Sequence, residues 1–291
     1  MKKGPLTLIV VCALILGACT YNKQPKKERE TTINKEIYLG QTPPGLIPKL
    51  FAPDMIDTEY REAEAAFTPD LKEFYFRRRG GSYKKNTLVV VKYKDNKWVE
   101  SDVPPFAGEP VISPDGKILY LGRKFRERTD TGWSEVKSLG PMFDNKEYGI
   151  MRFSASANGT YVFDDYTIDV IRISKLKDGK RQKPKLLGNH INIGKWTAHP
   201  FIALDDSYII WDSEREGGYG RSDLYISFKQ KDDSWGAAIN LGDQINTAEA
   251  SEAYGSVTPD GKYFFFHRGY GGDTGDIYWV DAKVIMNLRT N

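Results

Sequence analysis

Thr258-Pro259-Asp260-Gly261-Lys262-Tyr263-Phe264-Phe265-Phe266 is a tight turn followed by an aromatic strand, and the chain repeats it. Ser113-Pro114-Asp115-Gly116 before Leu119-Tyr120-Leu121 and Thr68-Pro69-Asp70 before Phe74-Tyr75-Phe76 are close copies. Ala157-Asn158-Gly159 before Tyr161-Val162-Phe163 and Leu204-Asp205-Asp206 before Tyr208-Ile209-Ile210-Trp211 are degenerate ones. Proline presets φ and Asp-Gly tolerates the positive φ of a tight hairpin, so each copy reads as strand–turn–strand. With Pro69, Pro114, Ala157, Leu204 and Pro259 taken as equivalent, the spacings are 45, 43, 47 and 55 residues. A period in the mid-forties built from strands alone predicts an all-β fold, a β-propeller of five four-stranded blades; six blades is the alternative count.

The repeats can be laid out strand by strand. In the first, strands are expected at about 64–68, 73–78 and 87–93, with a fourth starting at Trp98. Trp133 and Trp235 take the place of Trp98 in the second and fourth repeats, as wedges between blades. Phe125–Asp130 makes a poor third strand, so the second blade is expected to have three good strands. The fifth repeat runs into 282–291 without a Trp-led fourth strand. Leu46–Pro53 resembles the missing piece, and borrowing it from the other end of the chain removes two exposed sheet edges at once. Residues 39–53 are therefore read as the closing strand of a domain spanning 39–291. The repeats fall at about 59–108, 109–149, 150–196, 197–251 and 252–291.

The first residues address the compartment. Lys2 and Lys3 precede an apolar run from Leu6 to Leu16, too short to span a membrane comfortably but suited to a signal peptide over residues 1–18. Leu16-Gly17-Ala18-Cys19 resembles the lipobox of bacterial lipoproteins. That resemblance implies lipidation of the Cys19 thiol and cleavage before it; several acyl chains make a firm anchor. Thr20 in the following position implies the outer membrane. Residues 19–38 are polar and charged, a tether holding the domain off the bilayer. Cys12 leaves with the signal, so the mature domain has no disulfide. Loss of Lys2 and Lys3 leaves 40 basic against 39 acidic side chains, a net charge of +1. A near-neutral domain lacks the basic stripe that nucleic-acid binding needs.

SPDGKILYL, TPDGKYFFF, SDLYISF and GDIYWV are similar to the TolB-like, WD-type β-propeller repeats of bacterial envelope proteins. The match covers about residues 59–281 and is weakest in the third repeat. In that family the turn aspartate is structural, which implies that Asp70, Asp115 and Asp260 are not catalytic. The motif marks a fold rather than a reaction.

The turns lie on one side of such a fold, so the start of each first strand and the loops between second and third strands lie on the other. Aligning the repeats puts Glu64, Glu109, Arg152, His199 and Tyr254 at one equivalent position around the axis. Carboxylate, guanidinium, imidazole and phenol converging there make a candidate binding funnel. Arg78, Arg123 and Arg268 share a second position, just after the second strand, and read either as structural pins or as a partial ring gripping an anion. The glycine-rich stretches 217–223 and 269–276 are not phosphate loops, since neither opens a helix. Asp273 and Asp276 alone make a weak calcium site. His190, His199 and His267 lack metal-ligand spacing, and the domain has no cysteine nucleophile and no Gly-x-Ser-x-Gly. No metal, cofactor or catalytic residue is assigned. Two functions remain: a non-catalytic scaffold binding a protein or polysaccharide partner, and a glycan hydrolase using Glu64, Glu109 or Glu252.

Overall fold

The computed structural model describes residues 34–103, 108–144, 146–272 and 274–289, together with Met1 and Gly4. Cys19 lies outside the described residues. Every strand among the described residues belongs to the part of the chain from Ile33 to Asn291. No helix among the described residues is long and apolar enough to cross a membrane. Among the described residues the fold is nearly all β, with one short helix at Lys283–Met286 and a three-residue helical turn at Tyr38–Gly40.

The strands form antiparallel units that succeed one another along the chain. Unit one is Arg61–Phe67, Glu73–Gly80, Tyr83–Lys94 and Lys97–Asp102. Unit two is Pro110–Ile112, Ile118–Leu121 and Lys124–Thr129, its outer edge split between Gly132–Trp133 and Lys137–Ser138. Unit three is Phe153–Ala155, Tyr161–Asp165, Val170–Ser174 and Lys185–Leu186. Unit four is Lys195–Ile202, Tyr208–Glu214, Asp223–Phe228 and Ile239–Asn240. Unit five is Ser251–Val257, Tyr263–Gly271 and Thr274–Asp281, with Lys49–Leu50 paired antiparallel to the last of these. Among the described residues, one parallel pairing, Arg61 with Gly275, joins units five and one into one sheet.

The aromatic triplets explain how the units stack. Side chains alternate between the two faces of a strand. Phe74 and Phe76 therefore pack with Phe265, Ile277 and Trp279 of unit five, while Tyr75 points the other way, to Leu119 and Leu121 of unit two. Phe264 and Phe266 pack with Ile210, Leu224 and Ile226 of unit four, whose Ile209 and Trp211 pack with Val162 and Ile171 of unit three. Val111 and Tyr120 of unit two meet Phe153 and Phe163 of unit three. Each sheet is thus apolar on both faces, which is why these runs look continuously hydrophobic instead of alternating.

The turns are held as their composition suggests. The hydroxyls of Thr68, Ser113 and Thr258 donate to Asp70, Asp115 and Asp260 at 2.6, 2.6 and 2.8 Å, and each aspartate also accepts the N–H two residues on. Two expectations need correction. Lys124–Thr129 does form a full third strand, because backbone pairing on both sides overrides its weak strand composition. The tether expected to reach residue 38 ends sooner. Trp98 Nε1 donates to the Lys35 carbonyl at 3.0 Å, and Tyr38 is buried with its hydroxyl on Asp260 at 2.6 Å.

The segment before unit one fills the space between units one and five. Phe51 is 1% exposed, with ring centroids 5.0 Å from Phe74, 4.8 Å from Phe265 and 5.1 Å from Trp279. Phe51→Ala should therefore cost about 3–5 kcal/mol in denaturant unfolding. Deleting residues 22–30 should leave the transition where it is. A cost for Phe51→Ala below about 1 kcal/mol would show that this seam does not hold the first and last units together.

Candidate functional site

Three of the five aligned residues have left-handed backbone: Glu64 at φ 70°, His199 at 49° and Tyr254 at 58°. Each sits in a register slip of a first strand, between Ala63 and Ala66, Ala198 and Phe201, and Ala253 and Ser256. Such a bulge inserts an extra residue, bends the strand and re-aims a side chain. A non-glycine residue at positive φ is strained, and that strain recurs at one position of the repeat. Glu109 and Arg152 are also buried.

Around it, Arg77 donates through Nε and Nη2 to both oxygens of Glu64, and its Nη2 lies 3.5 Å from Glu109 Oε1. Arg61 donates to the Tyr254 hydroxyl at 3.2 Å and stands 3.9 Å from Glu64. His199 Nδ1 donates to Asp212 at 2.9 Å, its Nε2 is 3.7 Å from Glu109, and its ring lies 4.0 Å from that of Tyr254. Asp164 accepts the N–H groups of Met151, Arg152 and His199; Asp212 accepts that of Tyr254. His267 Nδ1 donates to the Glu62 carbonyl at 2.8 Å.

Burial and charge divide the acids. Burial alone would raise Glu64, but Arg77 and Arg61 hold it below the usual carboxylate range. Glu109 is pushed up to about 7, chiefly by burial, with Glu64 and Asp164 adding to it against His199 and Arg77. Burial disfavours the charge on His199, yet Asp212, Glu109 and Asp164 outweigh it and push the imidazole up to about 9. Burial and the two glutamates raise Tyr254. Burial pushes His267 down to about 3, so it is neutral.

Arg77, Asn86, Glu109, Arg123, His199 and Tyr254 line a pocket of about 680 Å³ together with Lys124, Asp144, Leu121, Ile150, Met151 and two glycines. Glu109 Oε2 and Asn86 Oδ1 are buried there without a hydrogen-bond partner. Nearer the turns, a hollow of about 60 Å³ is lined by one stretch from each first strand: Ala65, Val111, Ser154, Ile202 and Ser256. Arg152 reaches this hollow, with Nε and Nη1 unpartnered.

The second set of arginines is mostly elsewhere. Arg78 Nε bonds Glu62 at 2.8 Å and its Nη2 the Ile56 carbonyl at 2.9 Å; Arg268 repeats this on Glu252 and Ile245, each at 2.9 Å. Thr58 and Thr247 donate to the same two glutamates. Arg78 and Arg268 are therefore pins of a buried carboxylate, and Glu252 does not line the pocket. Arg123 alone of the three lines the pocket. The residues missed lie one position earlier: Arg77, Asp212 and His267 sit opposite Ala63, Ala198 and Ala253, beside the bulges. The same alignment shifted by one residue finds them, since successive side chains take opposite faces.

Asp273 lies outside the described residues. Asp276 instead meets Asp57 and Glu62, their oxygens all within 4.8 Å of one another. Burial and the Asp57 carboxyl push Asp276 up to about 7.

No known protein family matches the sequence, and no curated protein does. Solved structures of similar fold include TolB from Acinetobacter baumannii, at 14% identity and a TM-score of 0.46 over 77% of this chain and 53% of that one. The chain thus spans about half the length of that TolB. An α-L-arabinofuranosidase from Lactobacillus brevis is similar at 14% identity and a TM-score of 0.49, over 78% of this chain and 93% of that one. A GH62 hydrolase in complex with xylotriose is similar at 10% identity and a TM-score of 0.48, over 81% and 94%. Likenesses this distant concern the fold and not the activity.

Two measurements check the site. Glu109 and His199 both have folded values above their ordinary ones, so each contributes stability at low pH that is lost as pH rises, Glu109 from about 4.5 to about 7 and His199 from about 6.5 to about 9. Wild-type melting temperature should fall between pH 6.5 and 9.5, and His199→Gln should flatten that fall; an unchanged slope would place the charge elsewhere. Arg268→Ala strands buried Glu252 and should cost about 3–5 kcal/mol in denaturant unfolding.

Proposed function

We propose that this chain is a five-bladed β-propeller closed by the Lys49–Leu50 strand, anchored by lipid at Cys19 in the cell envelope, on the outer membrane facing the periplasm. Its function is to bind a protein or glycan partner in the axial pocket without chemistry. The observation that carries this is the recurrence of left-handed bulges at Glu64, His199 and Tyr254. Backbone strain of this kind costs of order 1–3 kcal/mol per residue and persists where the surrounding structure holds it, characteristically at ligand sites. Here it aims His199 and Tyr254 into one pocket.

A second reading, glycan hydrolysis, is favoured by one observation. The environments of Glu64 and Glu109 drive their proton affinities apart, the pattern of an acid and a base sharing a site. Against it, both oxygens of Glu64 are taken by Arg77, and Glu64 does not line the pocket. The carboxylates that do are Glu109 and Asp144, the latter salt-bridged to Lys124 at 3.0 Å. Binding is therefore the better-supported reading.

Capture of envelope components by the immobilised chain should be weakened about tenfold or more by Tyr254→Ala and by Glu109→Ala, measured at a temperature at which both variants remain folded. A parallel polysaccharide hydrolysis screen should show no turnover; turnover abolished by Glu109→Gln would establish the second reading instead. Cys19→Ser should release the protein from membranes or leave the precursor unprocessed, and its recovery in the membrane fraction at mature mass would exclude the anchor.

A further inference from the structure

Four aromatic side chains are exposed among the described residues: Tyr166, Trp196, Tyr219 and Tyr270. All four belong to the side on which the pocket opens. Tyr166, Tyr219 and Tyr270 lie in or beside the connections between second and third strands of units three, four and five, and Trp196 is at the start of the first strand of unit four. The side carrying the Pro-Asp-Gly turns has none among the described residues.

Trp196 is the most exposed of them, at 67%, and is strained, with φ 53°. A bulky residue at positive φ is a genuine outlier. The strand Lys195–Ile202 slips register twice, between Lys195 and Ala198 and again between Ala198 and Phe201. The first slip encloses Trp196, which faces solvent; the second encloses His199, which lines the pocket. One strand thus spends two left-handed residues on presenting an indole outside and an imidazole inside, three positions apart. Nothing in the packing of unit four uses the exposed indole.

The pocket wall states what it lacks. Glu109 is 5% exposed, yet its Oε2 accepts no hydrogen bond, and Asn86 Oδ1 is in the same condition. Arg77 and Arg123 line the same wall as cations. A buried acceptor left unpaired costs free energy that a ligand donor recovers. A hydroxyl both donates and accepts, so a set of hydroxyls matches this mixed lining. A molecule with hydroxyls around its edge and C–H groups on its faces also has an apolar face to lay on an indole. Aromatic residues suit such half-wet surfaces, because one side chain offers both apolar area and a polar tip. Sugar rings combine the two properties.

We propose that the ligand is a saccharide chain: one residue enters the pocket and donates a hydroxyl to Glu109 Oε2, and another stacks on Trp196, with Tyr219 and Tyr166 on the same face. This rests on the binding-site reading above and names its ligand class. Protein binding is thereby an outcome of the test.

The purified full chain is titrated with hexasaccharides of β-1,4-linked glucose, xylose and N-acetylglucosamine and of α-1,4-linked galacturonate, followed by calorimetry and by acrylamide quenching of tryptophan fluorescence. At least one should bind and shield an exposed tryptophan from quenching. Trp196→Ala should weaken that binding about tenfold or more, Trp196→Phe should retain most of it, and Glu109→Ala should weaken it about tenfold. Because Trp196 is exposed, its replacement should leave the melting temperature unchanged, so loss of binding is not loss of fold. Binding by Trp196→Ala equal to wild type, or no binding of any of the four, overturns the proposal. If a protein is then captured in a manner sensitive to Tyr254 and Glu109, the pocket remains the binding site and only the saccharide assignment fails. If capture too is insensitive to both, the pocket reading fails with it.

Discussion

Asp164 and Asp212 each reach from the second strand of one unit into the next and accept the backbone N–H of a bulged residue, His199 at 3.2 Å and Tyr254 at 3.2 Å. A bulge takes a residue out of the ladder and leaves its N–H without a strand partner. A buried N–H in that state costs about as much as a lost hydrogen bond. The neighbouring carboxylate removes the cost, and only the neighbouring unit can supply it. The contact that lets His199 and Tyr254 turn inward is therefore the same contact that joins units three to four and four to five. Between units five and one, His267 performs the converse, donating to the Glu62 carbonyl beside the third bulge. Site geometry and the order of the units depend on one type of interaction.

That arrangement brings like charges together. Glu64, Glu109, Asp164 and Asp212 converge in a region where water is scarce, and such a cluster is tolerable only if it is neutralised internally. Arg77 and Arg61 serve Glu64, and His199 stands between Asp212 and Glu109. Glu109 is the residue left over: it shares both cations and satisfies only one of its oxygens. Its raised proton affinity and its free oxygen have the same origin, an incomplete set of partners in a buried place. Buried polar networks that are partly satisfied are where a ligand gains most.

A second network, one residue out of phase, does the opposite work. Glu62 with Arg78 and Thr58 is copied almost atom for atom by Glu252 with Arg268 and Thr247. In these every acceptor is engaged, and each arginine also ties a loop carbonyl. Complete satisfaction marks them as structure. The two networks are separated only by the alternation of side chains along a strand, Arg77 turning to the axis and Arg78 away from it.

Much of this was legible in the sequence. The turn residues, the aromatic triplets and their spacing specify strand–turn–strand repeats, because proline, Asp-Gly and β-formers act locally. Aligning those repeats set Glu64, Glu109, Arg152, His199 and Tyr254 at one repeat position, of which Glu109, His199 and Tyr254 line the pocket while Arg152 reaches a separate hollow. Of residues 39–53, read as a closing strand, Lys49–Leu50 pair with Thr274–Asp281, though Tyr38 and Lys35 joined the segment unforeseen. The bulges were not legible. They place non-glycine residues at positive φ against local preference, and only carboxylates from adjacent units make that tolerable. For the same reason sequence chose Arg78 and Arg268 over Arg77, Asp212 and His267. A one-residue choice of face depends on which side each strand buries, and that was decided by units more than 40 residues apart in the chain packing against one another.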